Sequence, residues 1–220
     1  MHNERQVTNV PNVNRWGGIC AIAAGGLFIF LQLIHPAELV SSVTTARWAI
    51  VHVLTIVMCL FGAVGVAGIY LRQAGRIGWP GLAGALLLGL FWIITLAFVF
   101  VEAFILPVLA TESPKFVEAY LGLVVGTENE VDLRALTVLW PATGILYLLG
   151  SLLLGFATFR AGTLSRRAGG LLAVGAVAAP LLSMFPHGVE RMAAFPVGVA
   201  LAWLGYSLLV SERSGPGTPP

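Results

Sequence analysis

The sequence predicts an all-α, polytopic bundle of six membrane helices with both chain ends in the cytoplasm. Three observations predict it. The chain has 220 residues, 58% hydrophobic and only 10% charged, whereas soluble domains carry about 25% charged residues. Water could not solvate a fold covered by so few charges, but bilayer lipid can. Six stretches are apolar over close to the ~20 residues that a spanning helix needs: 16–34, 48–71, 80–106, 135–159, 168–185 and 192–210. Basic residues mark alternate connections, and that orients the bundle.

Residues 1–15 form a cytoplasmic N-terminal segment, 16–211 the six-helix domain, and 212–220 a Gly/Pro-rich tail expected to be disordered. The first stretch follows Arg5 and Arg15, as the apolar part of a signal peptide would. It is long, however, and no small-residue cleavage site follows, so it reads as a spanning helix. The third stretch is the longest, which predicts tilt or an end reaching past the hydrocarbon core. The long connection 107–134 holds Ser113 as an N-cap, Pro114 at a first helical position and Gly126 as a stop. Between them Phe116, Val117, Tyr120, Leu121 and Val124 recur every three or four residues. That spacing predicts a short amphipathic helix lying on the outer membrane surface. An acidic run over 128–132 leads into the fourth stretch. The fifth is the shortest, and Pro180 predicts a kink in it.

Orientation follows from the basic residues. With the N-terminus inside, Arg5, Arg15, Arg72, Arg76, Arg160, Arg166, Arg167 and Arg213 fall on the cytoplasmic side. Only Arg47, Lys115, Arg134 and Arg191 fall outside, among most of the acids: Glu38, Glu102, Glu112, Glu118, Glu128, Glu130, Asp132 and Glu190. Trp16, Trp48 and Trp79 sit at helix ends, where indoles favour the interface. The expected location is a plasma membrane, crossed several times, and the lipid bilayer is the expected partner. No basic run suggests nucleic acid. In general make-up the chain resembles small six-helix membrane proteins of bacteria, a likeness of composition only.

Helices one, three and five each open on an arginine followed by glycines, at Arg15, Arg76 and Arg167, and each ends at a proline, Pro36, Pro107 or Pro186. Gly62 precedes Arg72, and Gly150 precedes Arg160, by the same interval. This pattern suggests three copies of a helical hairpin, although topology alone favours arginine at inner ends. Small residues four apart (Gly17, Ala21, Gly25; Gly81, Ala85, Gly89; Ala194, Gly198, Ala202) mark packing faces, within the chain or in a homo-oligomer. Cys20 and Cys59 fall at different depths, about 7 and about 20 Å from the inner helix ends at 1.5 Å per residue, so a disulfide is not expected.

Ionisable residues at membrane depth are functional candidates. His35 ends the first helix, His52 lies about 7 Å into the second, Glu102 lies late in the third, and His187 follows the fifth. All fall in the outer half. His52, Thr55, Cys59 and Gly62 share one face of the second helix, and Thr95 and Glu102 share a face of the third. These faces could converge on an outward-opening polar pocket.

Three chemistries suit these residue types. His35, His52, His187 and Glu102 could bind zinc or iron, though no pair has HxxH or HExxH spacing. His52 and His187 could be axial ligands of a haem. His52 and Glu102 could form an ion pair or proton site. Beside these stand plainer roles: His35 and His187 meeting water next to prolines, Glu102 pairing with Arg47 or Arg134, and His52 bonding to a neighbouring helix. No P-loop, nucleophile elbow, HExxH, Rossmann or EF-hand signature is present. The leading expectation is a small binding, sensing or accessory protein with an outward-facing polar site. The alternative is an intramembrane enzyme for a lipid or isoprenoid-like substrate, using His52 and Glu102 as acid and base or as metal ligands. A small-molecule transporter is the third.

Overall fold

The computed structural model describes residues 11–127, 131–182 and 191–213. Those residues are almost wholly helical, and no strand occurs among them. Among the described residues seven α-helices follow in order: α1 (Pro11–Ile34), α2 (Ala46–Phe100), α3 (Leu106–Glu112), α4 (Pro114–Val125), α5 (Leu136–Ala161), α6 (Arg166–Leu182) and α7 (Ala194–Arg213). A π-helical turn, Val101–Ile105, joins α2 to α3, and a 3₁₀ turn, Arg191–Ala193, precedes α7. Several helices are long and apolar enough to cross a membrane. Their outward side chains suit that: Leu86, Ile93, Val138 and Val174 are all more than half exposed.

The expected break over 72–79 shrinks to one residue. Helix continues past Arg72 and Arg76 to Gly78, whose φ of 55° and ψ of −159° only glycine adopts without strain. Pro80 follows and lacks the N–H that would have continued the ladder. The chain turns back on itself there. Gly62 faces the ring of Trp92, and the Trp48 indole reaches the backbone of Glu102, so limbs 46–77 and 79–100 lie antiparallel.

Glycines set the close approaches. Gly17 meets Gly68 and Gly65 meets Ala21, bringing α1 against the first limb. Gly84 abuts the backbone of Leu154, and Gly150 that of Leu88, joining the second limb to α5. Gly155 and Gly169 join α5 to α6, Gly175 meets Pro196 on α7, and Gly25 meets Gly198 to return to α1. The helices thus close a ring. The stripes on α1 and α7 are spent inside the chain. On the second limb Gly81 is buried and Ala85 packs against the core, while Gly89 has open space around it. The closest approach of this limb to α5 is at Gly84, which lies beside the expected Gly81/Ala85/Gly89 stripe.

Two further expectations change. Pro107 does not end its helix. It enters at the start of α3, where a missing N–H costs little, and helix runs on to Glu112. The amphipathic α4 has the expected bounds, Pro114 at its start and Gly126 left-handed (φ 77°) at its end, but the Ser113 side chain makes no cap bond. Its apolar face does not lie on lipid. Val117, Tyr120 and Leu121 are buried against Val43, Trp48, Phe98 and Leu106 in a small core of their own.

The acidic residues Glu128 and Glu130, the residues Pro186, His187 and Glu190, the end of the fifth stretch and the tail 214–220 lie outside the described residues. Pro180 lies within α6. Cys20 and Cys59 are both free.

Candidate functional site

The site is built where α1 ends, α2 begins and the second limb of α2 passes into its π-turn. Thr45 caps α2, its hydroxyl accepting from the Trp48 backbone N–H at 3.2 Å. Three residues on, Trp48 is fully buried, and its Nε1–H donates to the Glu102 carbonyl at 2.7 Å. The sequence places Trp48 at the membrane interface with Trp16 and Trp79, but those two stand 61% and 74% exposed while Trp48 does not. The difference lies in the indole's hydrogen bond, which finds a backbone partner inside the protein.

Trp48 also orients His52. The two rings stack at 3.9 Å and 25°. The Trp48 carbonyl lies 2.8 Å from His52 Nδ1. A carbonyl only accepts, so Nδ1 carries the proton and Nε2 is turned to the pocket. Nε2 lies 3.4 Å from Glu102 Oε2. That is ion-pair distance, but it lacks hydrogen-bond alignment, and among the described residues Nε2 has no hydrogen-bond partner. Both side chains are buried. Glu102 sits in the π-turn, a local widening that recurs at functional sites because it re-aims a side chain.

A second group lies beside this pair. His35 Nδ1 is 2.9 Å from the Pro36 carbonyl, 3.3 Å from Glu38 Oε1 and 3.2 Å from Arg191 Nη2. Arg191 Nη2 donates to Glu38 Oε1 at 3.4 Å. The His35 and His52 rings meet edge-on at 5.2 Å. Burial pushes the Glu38 carboxyl up to about 7, against the downward pull of the Arg191 guanidinium.

His35, Glu38, His52, Glu102 and Arg191, which meet one another, line a cavity of about 320 Å³, as does Thr95. Met58, Phe28, Phe91 and Tyr147 line its body, with Thr55 and Thr143 on the walls. The three aromatic residues pack on one another, Phe91 on Tyr147 at 5.2 Å and Phe28 on Tyr147 at 6.4 Å. The cavity therefore has a titratable end and an apolar, aromatic body. A second depression of about 530 Å³ lies between the end of α4 and the start of α5. Its carboxylate, Asp132, is already held by Arg134 at 3.1 Å.

Of the sequence candidates, the structure brings His35, His52 and Glu102 together, while His187 lies outside the described residues. Glu102 does not pair with Arg47 or Arg134. Arg47 donates to the Ile34 carbonyl at 2.9 Å and Arg134 pairs with Asp132. Among the described residues no three His, Cys, Asp or Glu side chains are grouped to hold a metal ion. Glu38 and Trp48 had not stood out as site residues. The only sequence signals were Glu38 three residues past His35, and Trp48 one helical turn before His52.

Fold and site together define an all-helical protein with membrane-length apolar helices and a buried, titratable pocket. Comparison with protein families, curated proteins and solved structures finds no match to the chain.

Proposed function

We propose that this chain is a binding or sensing protein of a bacterial plasma membrane, which takes a small amphipathic molecule into the 320 Å³ cavity from the outer side. The observation that carries this reading is the division of that cavity. Titratable groups from four separate segments meet at one end, and aromatic and aliphatic side chains form the rest. Ligand pockets have this make-up, mostly apolar with a few convergent polar groups.

The membrane arrangement in this reading has six spans with both ends inside. The limbs 46–77 and 79–100 measure about 48 and about 33 Å at 1.5 Å per residue, each enough for a hydrocarbon core of about 30 Å. Arg72 and Arg76 sit at the turn between them, while His35, His52 and Glu102 sit at the opposite ends of their helices. Basic residues at the turn favour placing it in the cytosol, which leaves the pocket at the outer leaflet. The threefold hairpin origin belongs to the same proposal.

The test is saturable binding of 1-aminoanthracene, a flat apolar fluorophore with one uncharged amine at neutral pH. Its emission should rise on binding to the purified protein. Thr55→Phe should abolish the rise by filling the cavity. Among the described residues the Thr55 hydroxyl bonds within its own helix, to the Val51 carbonyl at 2.8 Å, so the fold should survive. Equal binding to both proteins would refute the pocket as the site.

One observation favours the enzyme alternative enough to keep it. His52 has a set tautomer, with Nε2 toward a carboxyl group, as an acid–base pair would. Turnover of a lipid or isoprenoid-like substrate that is lost in both His52→Ala and Glu102→Gln would support it.

A further inference from the structure

Three buried side-chain atoms of the cavity lining share one chemistry. Among the described residues His52 Nε2, Glu38 Oε2 and Thr95 Oγ1 have no hydrogen-bond partner, and all three residues line the cavity. Nε2 is an acceptor, because Nδ1 holds the ring proton against the Trp48 carbonyl. An ionised carboxylate oxygen only accepts, and a hydroxyl can. The buried indole donor without a partner, Trp92 Nε1, belongs to a residue that does not line the cavity. A ligand that satisfies these three atoms must bring donors.

Charge points the same way. Arg191 is committed to Glu38 at 3.4 Å. Glu102 has no arginine or lysine partner among the described residues, and its neighbour is an imidazole at 3.4 Å. A buried carboxylate without a cation is costly, and a cationic ligand would remove that cost. The aromatic body offers π faces, which attract cations and accommodate apolar groups.

Resting on the pocket reading above, we infer that the ligand is a small organic cation, an ammonium on an apolar body. Its charged head lies against Glu102 and His52 Nε2, and its body lies among Phe28, Phe91 and Tyr147. The ammonium supplies the hydrogens that these acceptors lack, and its charge balances Glu102.

The experiment compares three probes of one shape by displacement of 1-aminoanthracene at pH 8: phenethylammonium, phenethyl alcohol and phenylacetate. The ammonium should bind at least ~10-fold more tightly than the alcohol, about 1.4 kcal/mol, and phenylacetate should not compete. Glu102→Gln should erase the preference for the ammonium while 1-aminoanthracene still binds, which shows an intact fold. Equal or tighter binding of the alcohol or of phenylacetate overturns the inference, as does a preference that survives Glu102→Gln. If 1-aminoanthracene binds and the ammonium does not, the cation inference falls and the pocket reading stands. If no probe binds, both fall.

Discussion

His52 offers the pocket a single nitrogen, and Trp48 decides which one. The tryptophan carbonyl takes the Nδ1 proton, its ring stacks on the imidazole, and its own N–H holds the backbone of Glu102. One side chain thus positions both partners of the buried pair. Trp48→Phe keeps the stack but leaves the Glu102 carbonyl without its donor. The expected loss is about 1–3 kcal/mol, the cost of an unsatisfied buried group, read from thermal unfolding in detergent. Glu38 gives a pH-dependent prediction. Its folded carboxyl is raised to about 7, from an ordinary value of 4.5. Between those values the folded protein holds a proton that the unfolded chain has released. Its contribution to stability is therefore fullest below about 4.5 and is lost as pH rises through about 7. Glu38→Gln should flatten that decline, so the melting temperatures of the two proteins should diverge as pH rises toward 8. A decline unchanged in Glu38→Gln would assign the pH dependence to another group.

Two glycines of the same long helix should respond in opposite directions. Gly75 is helical, exposed and free of neighbours within 4 Å of an added Cβ. Gly75→Ala should stabilise by up to about 1 kcal/mol through helix propensity. Gly78 makes the reversal, at a φ and ψ closed to other residues. Gly78→Ala should cost about 1–3 kcal/mol and loosen the pairing of the limbs. Unfolding temperatures of the two variants in one detergent check both signs. The π-turn is the other element-scale device. With α3 continuing past Pro107, it lets helix persist while Glu102 is turned inward, where an unbroken α-helical register would place it differently.

At the scale of the molecule, the ring of helices depends on backbone approach at glycine. An added Cβ at Gly25 would run into the Gly198 carbonyl and the Ala202 N–H, both backbone and unable to give way. Gly25→Ala should therefore push α1 from α7. The expected cost is about 1–3 kcal/mol, as for overpacking elsewhere, seen as a lower melting temperature. Because His35 hangs from the end of α1 and Arg191 precedes α7, the same variant should weaken 1-aminoanthracene binding. Unchanged stability and binding would mean that this seam does not hold the pocket together.

The residues alone determined a good deal: a membrane-type composition, the positions of the apolar segments, the bounds of α4, and three ionisable side chains worth following, His35, His52 and Glu102. Those features are local, written in hydropathy, spacing and capping chemistry that any one segment carries by itself. What only the tertiary structure decided is which side chains meet. Glu38 and Arg191 lie 153 residues apart in sequence and touch. Trp48 carries the hydropathy of an interfacial anchor, yet it is buried, because its hydrogen-bond partner lies 54 residues away. The amphipathic face of α4 was legible, but whether lipid or protein would cover it was not, since both are apolar and periodicity cannot tell one nonpolar solvent from another. Long-range packing made that choice, and it also closed the cavity.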